Sequence, residues 1–229
     1  MTRTDLLKIA KPILFNTEMV KAIIEGKKTV TRRVVNPSNK RYFIDKTLSG
    51  KPAEFQMISI DEAKFIRMAK PQYKVNDILY VRETWSFQSC DICGGKCDTT
   101  PPDCFKGEPG CYVYRTNYGT TDDDTFPPSM FTWRPSIHMP KEAARIFLKV
   151  TDVRVERLQD ITAEQIDTEG CKEYGYNAKT GKLMPSRPTW FKIIWDNTIK
   201  KQDLDKYGWN ANPWVWVYEF ERVECDEVN

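Results

Sequence analysis

The chain has 229 residues, 40% hydrophobic and 29% charged, with 7 Trp, 10 Tyr and 11 Phe. That composition can bury a core and excludes intrinsic disorder as a general description; the length favours one domain with insertions. Basic side chains number 35 against 32 acidic, a formal charge of +3, too mild for a wholly basic protein, although 26–44 contains no acid and six basic residues. No apolar run approaches the roughly 20 residues that span a bilayer, mean hydropathy is −0.58, and Met1 to Lys8 lacks the apolar stretch of a secretory signal. A soluble, cytoplasmic protein without a membrane partner is the expectation.

Lys11 to Phe15 reads as a short strand. Thr17 is placed as the cap of a helix whose Met19, Val20, Ile23 and Ile24 form one stripe, with Gly26 as its stop. The β-branched run Thr29 to Val35 predicts a strand, ended by Asn36-Pro37-Ser38-Asn39. Residues 40–70 carry only a weak helical signal at 61–69. Asn76-Asp77 is a turn and Ile78 to Arg82 a strand, followed by a cysteine-bearing insertion over 86–111 and a loop over 116–136. Ala143 to Arg157 changes hydrophobic phase, which predicts a bent or bulged strand, or two in succession. Thr162-Ala-Glu-Gln165 is a capping box with Ile161 and Ile166 as its staple, opening a short helix that ends at Glu169-Gly170. Pro188 to Ile199 reads as an amphipathic helix and Trp214 to Phe220 as a final strand. Short strands mixed with few helices indicate an α+β domain around a curved or closed sheet. Neither of the usual glycine-rich phosphate loops is present, and no organic cofactor is expected.

Five of the seven cysteines fall in one window: Cys90, Cys93, Cys97, Cys104 and Cys111. Cys90 and Cys93 form a C-x2-C pair, and two such pairs close a tetrahedral zinc site. Cys104 and Cys111 are the expected second pair, with Cys97 as alternative to Cys104. The strand-like Tyr112 to Arg115 pairs back onto the segment leading to Cys90, bringing the two ends together. Four thiolates leave no position for water, so the expected zinc is a structural staple; incidental free thiols are the plain alternative.

The single histidine, His138, sits between apolar residues, where a structural role is the usual outcome. Chemistry then falls to Lys, Glu, Thr or Arg. In Gly26-Lys-Lys-Thr-Val-Thr-Arg-Arg33, alternation puts Thr29, Thr31 and Arg33 on one strand face, with Lys28 at the turn. A lysine near other cations, or desolvated, can shed its proton and take one from a threonine hydroxyl. A basic, solvated strand edge would look the same. Glu169, in the last turn of a short helix, stands where the macrodipole disfavours a carboxylate by roughly 0.3–1 kcal/mol. Facing a cation such as Lys28 would explain it, and so would an exposed helix end.

Ile23-Ile-Glu-Gly-Lys-Lys-Thr-Val-Thr-Arg-Arg33 resembles the signature of the ASCH family, in the PUA-like superfamily. Val75 to Trp85 is similar to the family's G-D-x-L-x-V strand, with Asn76 in the usual glycine position. Trp133 to Pro140, Leu158 to Thr162 with Glu169-Gly170, and Asn212 to Trp216 resemble the long members common in phages and prophages. The resemblance spans about 12–221 and leaves the cysteine insertion outside it.

The resemblance implies a small PUA-like β-barrel flanked by short helices, with a cleft for a nucleoside or single-stranded RNA. Short bacterial members similar in the Lys-Thr-x-Thr-x-Arg segment are amidohydrolases acting on N4-acetylcytidine. Their catalytic lysine falls on Lys28, their nucleophilic threonine on Thr31 and their glutamate on Glu169. In that reading Arg33 or a backbone amide steadies the oxyanion, while Arg32 and Trp85 help to hold the substrate. A non-catalytic RNA-binding module, or a nuclease using the same pocket, is the alternative. A turn lysine carries little packing, so Lys28→Ala is expected to spare the fold.

Overall fold

The computed structural model describes residues 1–35, 71–87, 112–117, 131–170, 175–177, 182–184 and 186–224. The first half gives α1 (Arg3–Ile9), β1 (Lys11–Leu14), α2 (Thr17–Ile24), β2 (Val30–Val34), β3 (Ile78–Arg82), β4 (Trp85–Phe87) and β5 (Tyr112–Tyr114). After these come β6 (Phe147–Arg157), α3 (Ala163–Thr168), β7 (Gly175–Asn177), β8 (Lys182–Met184), α4 (Arg187–Thr198), α5 (Leu204–Tyr207) and β9 (Trp214–Val223). The fold is mixed α+β. Its main sheet has five strands in the order β1-β3-β6-β9-β2, and β4-β5 and β7-β8 form two small sheets. The closed barrel implied by the resemblance is not formed among the described residues. Nor is any helix among them long and apolar enough to cross a membrane.

Local chemistry sets most element ends. The cap of α2 is Asn16, one residue before the expected Thr17; its side chain accepts from the Met19 amide at 2.8 Å. Gly26 follows the helix at φ +68°, a left-handed conformation that glycine adopts without strain. Asn76 takes φ +70° in its turn, which an Asn tolerates. The capping box of α3 forms as expected, Thr162 and Gln165 each taking the other's backbone N–H. Phe147–Arg157 is a single strand of 11 residues, and its phase change survives as a shift in which side chains are buried.

The chain divides into two compact units: Met1–Gly26, Asp77–Lys149 and Glu221–Asn229 make the first, Lys27–Asn76 and Val150–Phe220 the second. In the first, β1 runs parallel to β3 with Lys11 opposite Leu79, and β3 runs antiparallel to the start of β6. Leu6, Tyr80, Trp85, Tyr114, Met139 and Phe147 form its core. The strand expected after the insertion does pair back: Tyr112 lies opposite Phe87 and Tyr114 opposite Trp85. In the second unit β2 lies antiparallel to β9, from Val30 opposite Glu219 to Val34 opposite Val215. Val30, Val215 and Val217 pack there with Leu158, Ile166, Phe191 and Trp195, which brings the end of α3 to the start of β2.

Candidate functional site

Lys28 and Glu169, 141 residues apart, meet in the second unit. The backbone prepares the meeting: the two residues form an antiparallel bridge, and the Thr29 amide donates to Thr168 O at 2.9 Å. Lys28 Nζ then donates to Glu169 Oε2 at 2.5 Å, to Glu169 O at 3.0 Å and to Val30 O at 2.7 Å. Those three acceptors match the three protons of an ammonium. One of them is a carbonyl at the end of α3, a position that favours a cation, so the carboxylate at the helix end is offset by its partner. The two residues are 2% and 8% exposed, so Lys28 is not the lightly packed turn lysine of the sequence reading. A turn hairpin edge would have left it in water; the bridge to Glu169 closes over it.

Arg32 shares the same carboxylate. Its guanidinium donates to Glu169 Oε1 at 3.1 Å, to Glu156 at 3.1 Å and to Gln165 Oε1 at 2.9 Å, and the residue is 4% exposed. Arg32, which the resemblance places at the substrate, is here a buried cation joined to Glu169 and to Gln165 of the α3 capping box. Glu156 also accepts from Arg154, which reaches Asp152 and Glu219 as well. Burial works against the Arg154 charge, but the hydrogen bonds it donates to Glu156 and Glu219 more than reverse this and raise its pKa. Glu156, Gln165 and Arg154 were missed from sequence. Asp152, Arg154 and Glu156 alternate along β6, a spacing that puts three charges on one face and could have flagged them.

Thr31 is buried on the opposite face of β2 from Arg32, paired in register with Tyr218. Among the described residues no hydrogen bond joins it to Lys28 or Glu169. Arg33, partly buried on the same face as Thr31, has its pKa lowered by burial, which attraction to Tyr73, Glu169 and Tyr218 opposes. The Tyr218 hydroxyl accepts from the Gln72 amide at 3.1 Å, and its ring meets Tyr73 edge-on at 5.2 Å. Burial pushes the Tyr218 phenol from near 10 up to about 12, although the amides of Gln72 and Tyr73 and the charge of Arg33 pull the other way. A pKa raised by folding contributes stability in full below the unfolded value and loses it as pH rises through the folded one. Between pH 10 and 12 the wild type should therefore lose on the order of 2–3 kcal/mol that Tyr218→Phe does not lose. Urea unfolding of both proteins across that range checks it; parallel curves would show that the phenol is not held neutral.

Trp85 belongs to the first unit and is 5% exposed, packed in its core against Tyr112 and covered by the Arg134 guanidinium at 5.1 Å. His138 is exposed in a 3-10 turn. Cys90, Cys93, Cys97, Cys104 and Cys111, and the expected zinc with them, lie outside the described residues. Among the described residues no group of His, Cys, Asp and Glu converges as metal ligands.

No protein-family model, curated protein sequence or solved structure matches this chain.

Proposed function

We propose that the chain is a PUA-like amide hydrolase acting on an acylated nucleobase or nucleoside, with N4-acetylcytidine as its representative substrate. What supports this most is the buried contact of Lys28 with Glu169, two residues singled out from sequence on separate grounds. In this reading Lys28 first gives up a proton, and Glu169 Oε2, which accepts its hydrogen bond, is the group placed to take it. The neutral amine takes the Thr31 proton as the hydroxyl oxygen adds to the acetyl carbonyl. The C–N bond then breaks, the nucleobase amine leaves with the proton from Lys28, and water hydrolyses the acetyl ester on Thr31. The mechanism requires the Thr31 hydroxyl to come within reach of Lys28 when substrate binds. Arg33, on the Thr31 face, is the cation available to the oxyanion.

Turnover of N4-acetylcytidine to cytidine and acetate, followed by chromatography, tests the reading. Thr31→Val should lose activity by about 10²–10⁴-fold, the usual scale for a reacting group, while Thr31→Ser keeps part of it. Wild-type protein that releases no acetate would sink the hydrolase.

A second reading has one specific observation behind it. Three acceptors around Lys28 Nζ satisfy an ammonium completely and leave no lone pair for a base. The Lys28–Glu169 pair would then be a structural tie, and the chain a non-catalytic module for single-stranded RNA. Buried as it is, Lys28 would not contact a phosphate in that case, and replacing it would leave the salt dependence of RNA binding unchanged. RNA cleavage in the same assay would point to the nuclease alternative.

A further inference from the structure

In the first unit three arginines gather on one short stretch of backbone. Arg82 ends β3, and its guanidinium donates to the Ile137 carbonyl. Two residues on, Thr84 O accepts from the Arg115 amide at 2.9 Å. Trp85 exchanges backbone hydrogen bonds with Arg134 at 3.2 and 2.7 Å. The Arg134 guanidinium lies over the Trp85 ring, and that of Arg115 lies 5.3 Å from the centre of the Trp133 ring. Among the described residues none of these three arginines has a carboxylate partner. By contrast Arg32, Arg145, Arg154 and Arg187 each hold one. Glu83, the acid within the stretch, is already spent on Arg145, at 2.9 and 3.1 Å.

The same stretch carries two buried donors that have no acceptor among the described residues, Arg82 Nε and Trp85 Nε1. A buried donor left unpaired costs about 1–3 kcal/mol, so this part of the fold is short of acceptors and of negative charge together. A phosphate group supplies both. Its oxygens accept from several directions, and guanidinium forks match it well. The partly buried Trp133 ring beside Arg115 adds a flat surface of the kind on which bases stack.

We propose that Arg82, Arg115, Arg134 and the Trp85 indole N–H form a binding site for the phosphate group of a nucleotide, free or within a single strand. It uses none of Lys28, Thr31, Arg33 and Glu169, and stands or falls without the hydrolase reading. The test follows the Trp85 indole N–H resonance in the full-length protein at low salt during four titrations: inorganic phosphate, cytidine, cytidine 5′-monophosphate and a short oligocytidylate. The monophosphate should shift the resonance and cytidine should not. Tighter binding of the oligonucleotide would identify a strand as the source, and equal binding a free nucleotide. Arg134 is exposed, so Arg134→Gln should fold normally yet weaken the monophosphate by about tenfold or more. Arg222→Gln, at another exposed arginine, should leave the affinity unchanged. A resonance that no probe moves at millimolar concentration, one that cytidine moves as well as its phosphate does, or an Arg134→Gln protein that binds like wild type would overturn the site.

Discussion

Glu169→Gln should destabilise the chain far more than Lys28→Met, although each removes one partner from the same ion pair. Glu169 serves two buried cations, Lys28 at 2.5 Å and Arg32 at 3.1 Å, whose side chains are 0% and 1% exposed. Neutralising it removes the carboxylate from Lys28 and leaves Arg32 with Glu156 as its carboxylate among the described residues. Breaking a buried pair in this way costs about 3–5 kcal/mol. Lys28→Met leaves Glu169 still paired with Arg32 and fills the space of the lysine stem with an apolar chain. Its cost is the Val30 and Glu169 carbonyls left without their donor, on the order of 1–3 kcal/mol. The double variant should recover part of the Glu169→Gln loss, because it removes a stranded cation together with its anion. Urea unfolding of the four proteins measures the cycle. Equal single-variant losses that simply add would mean that Glu169 does not organise both cations.

In the first unit the asymmetry should run the other way, with Arg145→Leu costing more than Glu83→Gln. Glu83 is 1% exposed and receives both Arg145 nitrogens and the Thr116 hydroxyl, at 2.9, 3.1 and 2.7 Å. Removing Arg145 strands a buried carboxylate on one hydroxyl and uncovers the Tyr114 ring, over which the guanidinium lies at 4.0 Å. About 3–5 kcal/mol is the expected loss. Removing the Glu83 charge is milder, about 1–2 kcal/mol, because Arg145 keeps Thr116 and Asn117 and its side chain still reaches solvent. Amide exchange across Tyr112–Asn117 should quicken in Arg145→Leu before the rest of the unit responds, since this contact holds that segment to β3. Uniform exchange in both variants would refute the local tie.

Elements whose causes are local were legible in the sequence. The capping box at Thr162 and Gln165, the turn at Asn76, the β-branched run that becomes β2 and the pairing of Tyr112–Tyr114 back onto Trp85–Phe87 all depend on neighbours or on a short return of the chain. Helices α1 and α5 and strands β7 and β8 were missed. Helix α1 has a readable cap, the Thr2 side chain accepting from the Asp5 amide, but seven residues give too little periodicity to stand out. The strands β7 and β8 have three residues each, below the length at which alternation is visible.

The candidate site divides along the same line. Lys28 and Glu169 stood out from sequence because each residue type was unusual for its position, a lysine in a turn among cations and a carboxylate at a helix end, whereas Thr31 was singled out only by the family resemblance. The meeting of Lys28 with Glu169, the inward turn of Arg32 and the loss of Trp85 to the core were decided only by tertiary structure. A strand's alternation says which residues share a face, but not which face is covered. The cover is set by elements distant in sequence: α3 comes against β2 through the core cluster that Ile166 shares with Val30 and Val215, and it carries Glu169 to both cations. Hydrophobic burial thus sets the register, and the charges pair where that register leaves them.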